Sequence, residues 1–396
     1  MERVTLPAAA WRDRPGLDRL ALALDAESGA ARYVGGAVRD TLLGLDVADI
    51  DVATCHSPEQ VLARLEAAGI KAIPTGIAHG TITAVSSGTV VEVTTLRRDV
   101  TTDGRHATVA FTDDWEADAA RRDFTMNALY ADPLDGTVYD WFGGLDDLAA
   151  RRVRFIGDPY RRIAEDHLRI LRFFRFHARF GDVIDAAGLD ACTDRANDLM
   201  ALSRERIAAE LLKLLVAPRA IPVITLMVER GILRPVLPEI ADVAMLAALA
   251  DREQAAGIAP DAIRRLAALI PAAAAESVGG RLRLSKADRK RLEAAHGDVG
   301  HEGPRALSYR VGTGLATDRL LLAGAPLDDL RDWSPPRLPI GGGELVERGM
   351  SRGPDVARAL RAVETLWIAE GFPDADRTRT IADAVTDQLL RATNSR

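Results

Sequence analysis

A pair of glycines followed by two closely spaced aspartates is the part of this sequence best suited to chemistry. Gly35 and Gly36 come just before a short segment with helical spacing, and Asp49 and Asp51 follow it. The first amides of a helix lack partners within the helix and can bind phosphate oxygens, and Arg39 adds a charged donor. Carboxylates at i and i+2 of a strand share one face and repel each other unless a cation such as Mg²⁺ lies between them. Together, the glycine pair and the two aspartates predict a binding site for a triphosphate beside Mg²⁺. Taken alone, the glycines fit a simple turn and the aspartates fit surface residues.

Strands are needed to position these residues and a third carboxylate. The segments 31–34 and 47–53 have the composition of strands, with a short helix over 37–43 between them. A further predicted strand over 90–95 carries Glu92. If it lies beside the strand of Asp51, Glu92 completes an acidic triad. If it lies at the edge of the sheet, Glu92 is a surface charge, and the residues alone leave both interpretations open.

A second polar segment begins at Arg122 and Asp123. Asp123 fits the first position of a helix, where its carboxylate would accept hydrogen bonds from unpaired backbone amides. It equally fits a contact to a ribose hydroxyl, with Arg122 on phosphate. The sequence supports either role.

Asp166 and Arg169 lie three residues apart in a segment whose apolar residues recur at helical spacing over 163–178. On one helix they would be neighbours, and an intrahelical salt bridge would contribute about 0.2–0.5 kcal/mol. The pair also fits a detector of bases, because a carboxylate only accepts hydrogen bonds and arginine only donates them. Cytosine and adenine present an amine donor beside a ring-nitrogen acceptor, whereas uracil and guanine present the opposite order. One such pair can therefore select C and A without a nucleic-acid template.

Composition limits the class of protein. The chain of 396 residues is long enough for more than one domain, and it contains no apolar run of membrane-spanning length. We expect no secretory signal, because the N-terminus lacks a basic region followed by an apolar core. The two cysteines, Cys55 and Cys192, form neither a disulfide framework nor a zinc pattern. We therefore expect a cytoplasmic protein without membrane contact. The sequence predicts no oligomeric state.

Charge is unevenly distributed along the chain. The net charge of −7 alone argues against a nucleic-acid binder, but residues 151–180 hold nine arginines against three acidic residues. Contact with a phosphate backbone needs local positive surface, which the net charge does not report. A second cluster fits either an RNA-binding surface or a solvated helix face. It consists of Arg281, Arg283, Lys286, Arg289, Lys290 and Arg291.

The motifs resemble those of the class II tRNA nucleotidyltransferases, specifically the CCA-adding enzymes of the poly(A) polymerase family. Five motifs occur in the family's order, at residues 35–51, 121–129, 138–148, 165–169 and 202–211. The resemblance spans most of the chain and implies an α+β fold. It implies a polymerase-beta-like head with a mixed sheet over 1–150, a helical neck over 151–216, and a helical body and tail over 217–396 that bind tRNA.

The resemblance also implies roles for individual residues. Asp49 and Asp51 would bind the catalytic metal ions, with Glu92 as the third acidic residue. The predicted reaction is attack of the tRNA 3′-hydroxyl on the α-phosphate of CTP or ATP, with Mg²⁺ as cofactor and pyrophosphate leaving. The predicted nucleotide-binding residues are Gly36, Arg39, Arg122, Asp123, Asp166, Arg169, Arg172 and Arg175.

Three alternatives stay open at this point. The family includes poly(A) polymerases and partial enzymes that add only CC or only A. The segment 74–81 resembles the CCA-adding type, and the segment 103–106 resembles the flexible loop needed for adding A. No His-Asp dipeptide occurs, so we expect no additional phosphohydrolase domain. The remote alternative is a non-catalytic tRNA-binding protein, which would have no need for two converging aspartates.

Overall fold

The computed structural model describes residues 4–103 and 106–394, with side chains throughout except those of 99–109 and 392–394. The chain divides into two compact units, Met1–Pro238 and Glu239–Arg396. All described strands lie in the first unit, and the described part of the second unit is helical. The predicted α+β class is confirmed. No described helix is long and apolar enough to cross a membrane.

The strands are short and are numbered along the chain. They are β1 Ala31–Val34, β2 Asp51–Thr54, β3 Lys71–Gly76, β4 Thr81–Ser86, β5 Thr89–Thr95, β6 Arg97–Asp103, β7 His106–Phe111, β8 Tyr130–Ala131, β9 Val138–Tyr139, β10 Arg152–Val153 and β11 Val183–Ile184.

The α-helices of the first unit are α1 Leu17–Ala23, α2 Gly36–Leu42, α3 Pro58–Ala67, α4 Trp115–Ala120, α5 Gly144–Ala149, α6 Pro159–Glu165, α7 Arg169–Phe180, α8 Ala186–Asp194, α9 Arg204–Leu215 and α10 Ala220–Glu229. Those of the second unit are α11 Ala244–Ala256, α12 Ala262–Leu269, α13 Ala275–Arg281, α14 Lys286–Ala295, α15 Pro304–Val311, α16 Thr313–Ala323, α17 Gly342–Glu347, α18 Pro354–Ala369 and α19 Ala375–Asn394.

One mixed sheet carries the site. Its seven strands lie in the order β3-β4-β5-β2-β1-β8-β9, and all neighbours are antiparallel except the β2–β5 pair. In that parallel pair Asp51 lies directly opposite Glu92. Residues in register on adjacent strands present their side chains to the same face of the sheet. Of the two interpretations of Glu92 that the sequence leaves open, the structure shows the one in which its strand lies beside the strand of Asp51.

The strand of the aspartates is shorter than predicted. Only residues 51–54 are extended and paired in β2, so the prediction of a strand over 47–53 is wrong at its start. Asp49 lies in the preceding loop and is exposed, whereas Ile50 is buried and its carbonyl accepts a hydrogen bond from the Glu92 amide at 3.0 Å. The chain joins the sheet at Asp51, where the pairing of β2 with β5 begins.

The helix predicted over 163–178 is interrupted. Helix α6 ends at Glu165, and α7 begins at Arg169. Asp166 between them is extended, with φ −151° and ψ 107°. The alternative in which Asp166 and Arg169 form an intrahelical ion pair does not hold, because the two residues do not share one continuous helix.

Two small strand pairs lie outside the seven-stranded sheet. Strands β10 and β11 form a small parallel pair after residue 150, where the sequence predicts no strand. Strands β6 and β7 form a hairpin whose last pair joins Asp103 and His106. Residues 104 and 105, in the segment that resembles the loop for adding A, lie outside the described residues.

Candidate active site

A cleft of about 500 Å³ in the first unit gathers most of the predicted nucleotide-binding residues. Helices α2 and α7, strand β2 and the segment after α4 all contribute to its wall. The lining residues are Gly35, Gly36, Arg39, Asp51, Arg97, Arg121, Arg122, Asp123, Asn127, Asp166, Arg169, Arg172 and Phe176. Residues separated by up to about 140 positions in the chain thus meet at one site.

A second cleft, of about 390 Å³, adjoins the first through a shared residue. Asp49, Asp51 and Glu92 all line it, together with Arg14 and Thr89. Asp51 lines both clefts, so the acidic residues stand at their border. The three predicted carboxylates therefore line one cleft, and among them Asp51 also faces the larger cleft.

Gly35 makes the start of α2 possible. Its φ of +67° lies in the left-handed region, which glycine adopts without the steric penalty of a side chain. A Cβ at this position would lie 3.4 Å from Nη1 of Arg122. The guanidinium of Arg122 therefore lies beside the start of α2, as its predicted contact to phosphate requires.

A buried aspartate that the sequence reasoning missed holds Arg122 in place. Asp118 is 1% exposed and accepts hydrogen bonds from Nη2 of Arg122 at 3.2 Å and from Nε of Arg121 at 2.8 Å. The Tyr130 hydroxyl donates to the same carboxylate at 2.5 Å and accepts from Nε of Arg122 at 3.0 Å. Burial opposes the charge of Asp118, but the two arginines outweigh it and lower its pKa to about 2.

Arg39 lies at the cleft but is largely engaged inside the protein. It is 7% exposed and donates through Nε to Asp40 at 2.7 Å and through Nη1 to the side chain of Asn127 at 2.6 Å. Its guanidinium also lies 4.3 Å from the ring centre of Phe180. Burial lowers the pKa of Arg39, and Asp40 opposes that effect. Arg39 thus links α2 to the segment after α4 instead of projecting freely into the cleft.

Asp123 anchors an arginine of α7. Its two oxygens accept from the Phe124 amide at 2.9 Å, the Asn127 side chain at 2.9 Å, and Nε and Nη2 of Arg172 at 2.8 and 2.5 Å. Burial raises the pKa of Asp123, but Arg172 and these donors reverse the shift, and the net effect lowers it. Of the two roles that the sequence leaves open for Asp123, the structure does not show the start of an α-helix, because only a short 3₁₀ turn, Thr125–Asn127, follows.

Arg175 is the predicted nucleotide-binding residue that does not line the cleft. Its Nε donates to Glu210 of α9 at 2.5 Å, and its guanidinium lies 4.5 Å from the ring centre of Phe176. Glu210 also lies 4.0 Å from Arg172. Two arginines of α7 are thereby tied to α9 through one buried carboxylate.

The predicted base-selecting pair lies in the cleft, but each member pairs with another residue. Nη1 of Arg169 donates to Glu165 at 2.7 Å, and Nη2 donates to the carbonyl of Arg121 at 3.0 Å. Asp166 accepts from Nη2 of Arg206, a residue of α9 that the sequence reasoning left without a role. No periodicity within one helix can reveal such a pairing, since it joins residues 40 positions apart.

The acidic border of the clefts is electrostatically unfavourable as it stands. Burial and the nearby charge of Glu92 raise the pKa of Asp51 to about 6, and Arg122 only partly opposes them. A divalent cation would remove this repulsion. In the described part of the chain, no three His, Cys, Asp or Glu side chains converge into a metal cluster. One or two carboxylates together with substrate phosphates are nevertheless a typical Mg²⁺ ligand set, so the residues fit the ion.

Many of the arginines in residues 151–180 form ion pairs with carboxylates of the same unit. Arg152 and Arg154 both pair with Asp147, at 2.7 Å each. Arg179 lies 3.5 Å from Asp40, and Arg162 lies 3.0 Å from Glu165. In the second cluster, Arg291 pairs with Asp261 and Asp318, and Arg281 pairs with Glu239. The side chains of Arg283, Lys286, Arg289 and Lys290 are exposed. The sequence count therefore overestimates the positive surface of both segments.

Comparison with known proteins defines first the class and then the family. The family model described as the poly A polymerase head domain matches residues 31–154, which include both acidic strands. A second model, described as the probable RNA and SrmB-binding site of polymerase A, matches residues 184–243. The chain thus carries the head of a nucleotidyltransferase.

Similarity to individual proteins is more specific. The chain is 37% identical over 359 residues to the mitochondrial CCA tRNA nucleotidyltransferase 1 of Danio rerio, covering 85% of this chain and 83% of that one. It is 34% identical over 383 residues to the same protein of Mus musculus, covering 90% and 87%. The crystal structure of the Bacillus stearothermophilus CCA-adding enzyme in complex with CTP is 28% identical, with a TM-score of 0.70, and covers 96% of this chain and 100% of that one. The chain belongs to the CCA tRNA nucleotidyltransferase family, as its motifs predict.

Proposed function

We propose that this protein adds C, C and A to the 3′ end of tRNA from CTP and ATP, without a nucleic-acid template. One observation carries the proposal. Asp166 and Arg169, which together can recognise the edge of cytosine or adenine, line the same cleft as Gly36, Arg122 and Asp51. A base detector, a phosphate-binding segment and a catalytic carboxylate are what template-free nucleotidyl transfer requires.

The triphosphate is the part of the substrate that fits the start of α2. The amide of Gly36 and the guanidinium of Arg122 provide donors there, and Asp118 fixes the direction of that guanidinium. Arg172, held by Asp123, adds positive charge on the opposite helix. Contact of Asp123 with the ribose stays a prediction, and so does nucleotide contact by Arg39 and Arg175.

Asp49 and Asp51 would hold Mg²⁺, with Glu92 supporting them from β5. When bound, the ions lower the pKa of the attacking 3′-hydroxyl and neutralise charge on the triphosphate. No side chain of the cleft need become covalently attached to the substrate, because transfer of this kind depends on positioning and charge stabilisation. The chain's own contribution is to align the 3′-hydroxyl, the α-phosphate and the leaving pyrophosphate.

Three further assignments belong to this proposal. The head, neck, and body with tail correspond to residues 1–150, 151–216 and 217–396. The exposed cations Arg283, Lys286, Arg289 and Lys290 provide positive surface for tRNA contact in the body. A cytoplasmic location is supported by the two unpaired cysteines.

The test is incorporation into tRNA that lacks its 3′ CCA, with CTP and ATP supplied separately and together. The proposal predicts two C additions with CTP, followed by a single A when ATP is present. Addition of long A tails would indicate a poly(A) polymerase, and addition of CC alone or of A alone would indicate a partial enzyme. Binding of tRNA without incorporation would identify a non-catalytic protein.

A further inference from the structure

We propose that Arg206 is a positioning residue for base selection, because it fixes the direction of the Asp166 carboxylate. The inference rests on the proposed function and adds to it a residue outside the nucleotide cleft. Arg206 does not line that cleft, so it acts through Asp166 and not through the nucleotide.

Asp166 needs external support. It lies between α6 and α7 in extended conformation, so no helix fixes its side chain. The contact from its own segment is a hydrogen bond from the Leu168 amide to Oδ1, at 3.1 Å. A carboxylate that is about one-third exposed and accepts one such bond can rotate about its side-chain torsions.

Arg206 supplies the missing support. Its Nη2 lies 2.8 Å from Oδ2 and 3.1 Å from Oδ1 of Asp166, so it contacts both oxygens at once. Several contacts hold α9, the helix that carries Arg206, in position. Ser203 caps its start, and its Ile207 and Leu211 are buried. Glu210 of the same helix accepts a hydrogen bond from Arg175 of α7. The carboxylate is therefore held between two helices of the same unit.

The hydrogen-bond donors and acceptors that remain on Asp166 and Arg169 match one edge of a base. A carboxylate has about four acceptor positions, and Leu168 and Arg206 occupy three of those of Asp166, leaving one on Oδ2. Arg169 donates through Nη1 to Arg162 and Glu165 and through Nη2 to Arg121, which leaves Nε–H and one further N–H of its five donors. One directed acceptor beside available donors fits the amine and ring nitrogen of cytosine or adenine.

Loss of Arg206 would leave Asp166 in place but without a fixed direction. The carboxylate could then turn away from the amine of C or A, and discrimination against U and G would fall. The ion pair is 42% and 32% exposed at its two side chains, and such surface pairs contribute little to folding. The variant is therefore expected to fold.

The experiment measures kcat/KM for single additions of each of the four nucleoside triphosphates to the appropriate tRNA ends. Arg206→Ala should lower the ratio of CTP to UTP, and of ATP to GTP, by about tenfold or more. The change should arise mainly in KM for CTP and ATP, with kcat reduced much less. Arg206→Lys should restore part of the selectivity, because an ammonium can still contact the carboxylate.

Two comparisons separate positioning from a general structural effect. Arg230→Ala removes a similarly exposed arginine whose ion pair with Asp190, at 3.8 Å, lies outside the cleft, and it should leave the ratios unchanged. The double variant Asp166→Ala with Arg206→Ala should be no less selective than Asp166→Ala alone, since Arg206 acts through that carboxylate.

Unchanged ratios in Arg206→Ala, or additive losses in the double variant, would overturn the inference. Failure of the unaltered protein to add C and A would instead overturn the proposed function, so the two failures are distinguishable.

Discussion

Replacing Asp118 by asparagine should both destabilise the first unit and weaken nucleotide binding. Asp118 is 1% exposed and accepts hydrogen bonds from Arg121, Arg122 and Tyr130. Asparagine has nearly the same shape but no charge, so it leaves two arginines without their counter-ion. It also releases the guanidinium of Arg122, which the carboxylate holds beside the start of α2.

The size of the effect follows from the pKa of Asp118, which is lowered to about 2 in the folded protein from an ordinary value of 3.8. A group whose pKa is depressed by folding stabilises the protein above the unfolded value and loses that contribution as the pH falls through the folded value. The shift corresponds to about 2 kcal/mol. Because two arginines also lose their partner, we expect Asp118→Asn to cost about 3 kcal/mol near pH 7.

Hydrogen exchange of peptides from residues 106–154, at increasing urea, measures this loss in the unit concerned. Asp114→Asn is the matched control, because Asp114 caps the same helix and asparagine caps equally well. The deficit of Asp118→Asn should shrink as the pH falls from about 5 towards 3, where the wild-type carboxylate begins to lose its advantage. A loss below about 0.5 kcal/mol, or one independent of pH, would refute the reasoning.

Three further predictions concern other parts of the first unit. Asp49→Ala should abolish incorporation while tRNA affinity, measured by filter binding, stays within about twofold; unchanged turnover would contradict the metal assignment. Burial lowers the pKa of His177 from 6.5 to about 4, so the wild type should lose about 3 kcal/mol of stability as the pH falls from 6.5 to 4. His177→Gln should not show this loss in urea unfolding, and identical pH profiles of the two proteins would contradict the prediction. Gly35→Ala and Gly44→Ala both place a side chain at positive φ, and each should lower the free energy of unfolding by about 1 kcal/mol. Only the Cβ at position 35 approaches Arg122, so only Gly35→Ala should raise KM for CTP in kinetic assays. Equal effects of the two variants on KM would show that the position of Arg122 is unimportant.

The parts of the site that depend on local pattern are predictable from the sequence. The order of β1, the glycine turn and α2 follows from the strand composition of 31–34, the Gly35 turn and the helical spacing after it. The pairing of Asp51 with Glu92 does not follow from local pattern, because the sequence leaves open whether the strand of Glu92 lies beside β2 or at the edge of the sheet.

The break between α6 and α7 could not be predicted from the same signals. The apolar spacing continues from Ile163 through Ile170, and no proline or glycine interrupts 159–169 after its first residue. Tertiary contacts decide the break, since Arg169 caps the carbonyls of Arg162 and Arg121. The start of β2 is similar, because a strand forms only where a neighbouring strand is present to pair with it.

Several arginines at or beside the cleft bind partners that lie far from them in the chain. Arg39, Arg172 and Arg206 bind Asn127, Asp123 and Asp166, which lie 88, 49 and 40 positions away in the chain. Spacing along the chain carries no signal for such contacts. The sequence therefore predicts most of the residues that line the cleft, but it does not predict the hydrogen-bond partner of each one.

The most direct test of the account is a structure of this protein with CTP and Mg²⁺ bound. We expect the cytosine amine to lie within about 3 Å of Asp166 and its ring nitrogen within the same distance of Arg169, with the ions between Asp51 and the triphosphate. Cytosine bound away from these two residues, or ions held elsewhere, would contradict the claim that protein side chains choose the nucleotide.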